Sequence, residues 1–124
     1  MKKQVLCSLL LFLGVATASQ AAVPGAAEQL FLNATQEVGF LLRMNEKCKL
    51  DQAELEQAVD ILGDEGANEA ERLNADRAEM ARYTHAGGAQ ADKQHPRKPP
   101  ADVCAEVREK LLERAEKGYY GPQL

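Results

Sequence analysis

Two cysteines, Cys48 and Cys104, constrain the fold of this chain more than any other feature. Cys48 ends a pattern of apolar residues that starts near Glu28 and repeats in steps of three and four, the period of one helix face. Cys104 lies at the start of the last helical pattern. Two cysteines in an oxidising compartment favour a structural bridge over a reactive thiol or a metal site. The sequence therefore predicts a disulfide between the end of the first helix and the start of the last.

The first 21 residues have the pattern of a secretory signal peptide. A short basic head precedes an apolar run from Val5 to Ala18, and the small residues that follow suit cleavage after Ala21 or Ala22. The apolar run is shorter than the roughly 18 residues that a transmembrane helix needs. The third cysteine, Cys7, stands at the beginning of this run, where it does not fit the lipid-attachment site of a lipoprotein. We therefore predict export, to the periplasm or beyond the cell.

The mature chain, residues 22–124, is predicted to form one small helical domain. Removal of Lys2 and Lys3 with the leader leaves 13 basic residues against 19 acidic ones, a net charge of −6. This balance argues against nonspecific binding to nucleic acid or to anionic lipid, and no membrane segment is expected after cleavage. A domain of this length has one core, and without tryptophan that core must come from aliphatic residues.

Four helical patterns predict an antiparallel four-helix bundle with up-down-up-down order. The first helix is expected over Glu28–Cys48, the second from an Asp51 cap to Gly63, the third over Asn68–Tyr83 and the last from near Pro100 to Gly118. In such a bundle the end of helix one and the start of helix four lie at the same pole. The predicted disulfide agrees with this topology.

Residues 84–101 interrupt the helical pattern. They contain two consecutive glycines and three prolines and have no apolar period, so the sequence predicts a mobile loop. The basic run within it, including Lys93, Arg97 and Lys98, has no interleaved aromatic residues to stack on bases. It could instead meet an acidic patch on a protein partner.

The sequence contains no recognisable catalytic constellation. It has no Ser-His-Asp arrangement, no phosphate-binding glycine loop and no HExxH motif. Both histidines, His85 and His95, fall in the predicted loop, where they and Asp92 would have no fixed geometry for a metal. We therefore predict neither an enzyme nor a cofactor.

The first helix has apolar residues outside its main inward stripe. Phe40 and Met44 lie one turn apart on another side, so either the helix is central and contacts neighbours on two sides, or these residues bind a partner. Gly39 destabilises the helix relative to alanine and could admit a close helix crossing. Two tyrosines near the carboxyl terminus either fold onto the bundle or are displayed. The candidate partner-binding residues are Phe40, Met44, Lys93, Arg97, Lys98, Tyr119 and Tyr120.

Three classes of function are compatible with these features. The first is an accessory protein of the cell envelope that binds another protein, and it is the one we favour. The second is an immunity-type inhibitor, which would hold one partner tightly, or a periplasmic stress chaperone, which would expose apolar surface on acidification. The third, an enzyme, would need a concave site with perturbed titrating groups, and the missing catalytic motifs disfavour it. The sequence does not name the partner.

Overall fold

The computed structural model describes residues 25–49 and 53–121, which form four α-helices. These helices are α1 (Ala26–Cys48), α2 (Ala53–Leu73), α3 (Arg77–Gln94) and α4 (Ala101–Lys117). The described residues contain no β-strand, so the prediction of an all-helical fold is confirmed. The predicted signal peptide and the predicted cap Asp51 lie outside the described residues.

α1 and α4 begin and end close to the predicted positions. α1 ends at Cys48 because Lys49 adopts a left-handed conformation, with φ of 54°. α4 begins after Pro100 and ends before Gly118. Proline suits the start of a helix because it has no backbone N–H that would be left unpaired there, and glycine suits the end. The Cα atoms of Cys48 and Cys104 are 5.6 Å apart and their sulfur atoms are paired, so the predicted cysteine pair is present.

The predicted ends of the second and third helices are wrong. α2 continues through Gly63 to Leu73, and the chain turns at Asn74, which has a positive φ of 52°. α3 then begins at Arg77, capped by Asp76, whose carboxylate accepts a hydrogen bond of 2.9 Å from the N–H of Ala78. The predicted turn after Gly63 therefore lies inside a helix.

The predicted mobile loop at 84–101 is also wrong over most of its length. α3 continues through Gly87 and Gly88 to Gln94, which leaves only 95–100 between α3 and α4. A Cβ atom at Gly87 would overlap the carbonyl oxygen of Gln36 in α1 and lie 2.8 Å from the N atom of Phe40. Gly87 is therefore required for close approach of two helices, and close contact with α1 offsets its low helix propensity.

α1 is the central helix. α3 lies along it in the same direction, with Gln29 hydrogen-bonded to Tyr83 near one end and Arg43 to Asp92 near the other. α4 runs the opposite way on another side of α1, because the disulfide joins the end of α1 to the start of α4. Among the described helices, no Cα atom of α3 comes within 8 Å of α2 or α4. α3 therefore packs on α1 and not on α2 or α4, the helices that precede and follow it in the sequence.

The core lies mainly between α1, α2 and α4. Its largest fully buried side chains are Phe31, Leu32, Met44, Leu55, Leu62 and Leu111. Tyr119 folds back onto this core after α4: its ring stacks on Phe31 at 5.5 Å and its hydroxyl shares a 2.8 Å hydrogen bond with Thr35. Gly66 of α2 makes room for the ring, since a Cβ atom there would lie 2.8 Å from it.

Candidate functional site

One face of α1 is left uncovered between α3 on one side and, on the other, the end of α2 and Tyr120 followed by α4. Two adjoining cavities, of about 1060 and 510 Å³, follow this face and share Glu37, Phe40 and Gln94 as lining residues. We call them together the α1 groove. Its floor contains Leu30, Ala34, Phe40, Leu41 and Met44, its α3 wall Gln90 and Gln94, and its α4 wall Val103, Glu106, Lys110 and Glu113. The lined part of α1, from Ala27 to Met44, is about 25 Å long at 1.5 Å per residue.

The floor of the groove presents apolar side chains to solvent. Leu30 is 63% exposed. Phe40 and Val103 are half-buried. Leu30 is exposed because α3 covers only one side of α1, so this edge of the helix remains open. Exposed apolar surface in a groove is typical of a binding site.

A hydrogen-bonded cluster lines the half of the groove farther from the disulfide. The Tyr120 hydroxyl donates to Glu69 at 2.5 Å, and Arg72 donates two hydrogen bonds to the same carboxylate, at 2.6 and 2.9 Å. The hydrogen bonds from Arg72 and then from Tyr120 lower the pKa of Glu69 to about 2. Burial and the hydrogen bond to Glu69 raise the pKa of Tyr120 to about 12. Near neutral pH, Glu69 is therefore ionised and Tyr120 is neutral.

Arg114 is a buried charge at the edge of the groove that the sequence analysis missed. Its Nη2 atom donates to the Glu37 carboxylate and, at 3.0 Å, to the carbonyl oxygen of Tyr120. Only 5% of Arg114 is exposed. The spacing of the buried residues of α4 could have indicated this burial, because Arg114 continues the steps of four and three from Val107 and Leu111. Arg114 thus ties the chain after α4 to the groove.

The aromatic and Met residues that were predicted to bind a partner fall into two groups, one at the groove and one in the core. Phe40 and Tyr120 line the groove, as a binding role requires. Met44 is 1% exposed and Tyr119 is 8% exposed, so both are core residues and neither can be an exposed anchor. Met44 lies beneath the exposed side chains of the groove floor. Its burial agrees with the interpretation of α1 as a central helix that contacts neighbours on two sides. The Phe31 and Thr35 contacts account for the burial of Tyr119.

The basic residues of the predicted loop lie beyond the groove, at the disulfide pole. Lys93 is exposed at the end of α3, and Arg97 and Lys98 are exposed in the connection to α4. Asp92 accepts hydrogen bonds from Arg43 at 2.8 Å and from Lys47 at 3.1 Å, which lower its pKa. These contacts hold the ends of α1 and α3 together.

Within the part of the chain that the structure describes, no three His, Cys, Asp or Glu side chains are grouped to hold a metal ion. No helix of that part is long and apolar enough to cross a membrane. No protein-family model matches the chain, and comparison with curated proteins and with solved structures finds no match either. Function is therefore inferred from the chemistry of the α1 groove.

Proposed function

We propose that the protein is an exported accessory factor of the cell envelope that holds a helical segment of another protein in the α1 groove. The observation that carries this proposal is the open apolar floor, where Leu30 is 63% exposed and Phe40 is half-buried. Large apolar side chains on a groove floor bind the apolar face of an amphipathic helix in many complexes. The two anchors are ten positions apart on α1, about 15 Å along the helix axis.

The shape of the groove favours a helix over a small molecule. Its floor follows a single α-helix for about 25 Å, and its two walls are also helices, so a further helix can lie along it. Small-molecule sites bury most of the ligand and direct a few polar groups toward it. Here the floor is open to solvent at Leu30 and partly open at Phe40.

The titrating groups of the groove support binding and not catalysis. Glu37 is paired with Arg114, and Glu69 with Arg72. A general acid or base works best with a pKa near the operating pH, whereas the pKa of Glu69 is shifted away from neutrality, to about 2. The same low pKa keeps this end of the groove ionised in mild acid. The low pKa of Glu69 therefore disfavours a chaperone that opens on acidification. An immunity-type inhibitor would use the same groove and bind its partner more tightly.

Site-specific photo-crosslinking in the native envelope tests the proposal. A photo-reactive residue is placed at Leu30, on the groove floor, and in a matched control at Ile61, which is exposed on α2 outside the groove lining. We expect the Leu30 probe to capture one partner through a helical segment and the Ile61 probe to capture none. Adding Phe40→Ala to the Leu30 probe should reduce capture about tenfold, since interface anchors often contribute 2 kcal/mol or more.

Two further measurements make the outcome decisive. The captured protein is purified and its affinity for the wild-type chain is measured, and the circular dichroism spectrum of Phe40→Ala must retain its helical shape. Equal capture at Leu30 and Ile61, or unchanged affinity in a folded Phe40→Ala variant, would rule out the groove as the binding site.

A further inference from the structure

A row of carboxylates lies beside the α1 groove on the outer face of α4. Its members follow one another in steps of four, three, four and three, which places them on one side of the helix. They are Asp102, Glu106, Glu109, Glu113 and Glu116. Glu106 and Glu113 line the groove itself, so the row forms the upper edge of its α4 wall.

The row keeps a negative charge after its local ion pairs are counted. Lys110 approaches Glu106 at 3.9 Å and Lys117 approaches Glu113 at 3.6 Å, each in an exposed i, i+4 pair. Two lysines against five carboxylates leave a net charge of −3 on this face. The opposite wall, on α3, presents only the neutral amides of Gln90 and Gln94 to the groove. The half of the groove nearer the disulfide therefore has a net acidic helix on one flank and neutral amides on the other, and the other half is bordered by the Glu69–Arg72 ion pair.

Building on the proposed function, we infer that the helix held in the α1 groove is cationic along one flank. Its apolar residues, repeating at i, i+3 or i+4, i+7 and i+11, lie on the floor from Leu30 to Met44, and α4 flanks the half of this floor from Glu37 to Met44. Its lysines or arginines face the carboxylate row of α4, and its other flank faces the amides of α3. Charge complementarity of this kind fixes the orientation of a ligand and raises its association rate.

The basic pole restricts where those cations can be placed. Lys93, Arg97 and Lys98 are exposed and lie within three positions of His95, which lines the end of the groove nearer the disulfide. They repel cationic residues at that end. The lysines or arginines of the ligand therefore lie toward Glu116, and the end of the ligand near the disulfide is neutral or acidic.

Three synthetic helical peptides test this inference with the folded wild-type protein. All share one apolar face, and one flank carries lysine, glutamine or glutamate. We expect the lysine peptide to bind at least tenfold more tightly than the glutamine peptide at low salt and the glutamate peptide to bind most weakly. Exposed ion pairs are screened by salt, so the preference should shrink severalfold in half-molar salt.

Two triple variants assign the preference to α4. Glu106→Gln, Glu109→Gln and Glu113→Gln together should reduce the ratio of the lysine-peptide affinity to the glutamine-peptide affinity about tenfold. The matched control, Glu56→Gln, Asp60→Asn and Asp64→Asn, makes the same charge change on an exposed face of α2 and should change neither affinity by more than about twofold.

The results that would contradict a cationic flank on the ligand differ from those that would rule out the groove as the binding site. If the lysine and glutamine peptides bind equally, and Phe40→Ala weakens both, the groove stands and the cationic flank is wrong. If both triple variants weaken the lysine peptide equally, the attraction comes from the net charge of the protein and not from α4. If no peptide binds, the cationic class is wrong, and the crosslinking at Leu30 decides the proposed function separately.

Discussion

At the scale of single residues, Arg114 links the core to the groove. A buried guanidinium needs its hydrogen-bond partners, because an uncompensated charge away from water is costly. Arg114 has the Glu37 carboxylate and the Tyr120 carbonyl. The sequence alone predicted a continuous inward stripe on α4 but not this arginine within it. A charged residue at a core position is predictable only once its partner is known, and Glu37 lies 77 positions away.

The first prediction concerns this pair. Glu37→Gln keeps the size of the side chain and removes the charge that faces Arg114, so we expect a loss of about 1 kcal/mol in the free energy of unfolding. Urea unfolding measures it. Glu46→Gln is the matched control on the same helix, because the Arg43–Glu46 pair is exposed and should contribute less than about 0.5 kcal/mol. Equal losses in the two variants would mean that burial of Arg114 has no energetic consequence.

The second prediction concerns the acid range. The pKa of Glu69 is about 2 in the folded protein against 4.5 for an ordinary glutamate, so its contribution to stability is complete above about pH 4.5 and is lost as pH falls toward 2. We expect wild type to be more stable than Glu69→Gln at neutral pH, and the difference to shrink steadily below pH 4.5. Denaturant unfolding of both proteins at several pH values measures this. A difference independent of pH would contradict the hydrogen-bonded cluster.

At the scale of helices, glycines decide how closely α1 and α3 approach. In the sequence, the glycines of α2 and α3 have the pattern of helix breakers, which is their usual effect on an isolated segment. In the structure Gly39 faces the backbone of Thr84, so its predicted close crossing is confirmed, and Gly66 faces the ring of Tyr119. Local propensity could not reveal this, because the favourable contact belongs to a residue far away in the chain. The Asp76 and Glu79 spacing was the local signal for the true start of α3.

The third prediction compares two adjacent glycines of α3. Gly87→Ala should destabilise the protein by about 1 to 3 kcal/mol, because the new methyl group meets the α1 backbone, which cannot move independently. Gly88→Ala should stabilise it by roughly 0.5 to 1 kcal/mol, since a Cβ atom there lies 3.9 Å from Arg43 and helix propensity improves. Thermal unfolding of both variants gives the comparison. Stabilisation in both would show that α3 is not in close contact with α1.

At the scale of the whole molecule, the disulfide holds the pole where α1 ends and α4 begins. The cysteine pairing and the all-helical fold could be predicted because both follow from spacing along the chain. The order of the helices around α1 could not, since helix lengths and turns do not specify which faces meet. The α1 groove exists because α3 packs on α1 alone.

The fourth prediction is that neither Cys48 nor Cys104 has a reactive thiol and that the stability of the protein depends strongly on this bridge. A disulfide that closes a loop of 56 residues contributes about 4 kcal/mol in the chain-entropy model. Reduction should therefore lower the Tm by roughly 15 °C or more in a domain of this size. Mass spectrometry after alkylation, with and without reductant, checks the bond, and calorimetry checks the stability. Alkylation of Cys48 or Cys104 in the native, unreduced protein would contradict the pairing.

Binding along the open face of α1 is tested most directly by amide chemical-shift mapping, with the isotopically labelled protein and the purified partner segment identified by crosslinking. We expect the largest shift changes at Leu30 and Phe40 on the floor and at Gln94 and Glu106 on the two walls. The amides around Ile61, on the exposed side of α2, should change little. Shift changes centred on α2, with the floor of the α1 groove unaffected, would contradict the proposed binding site.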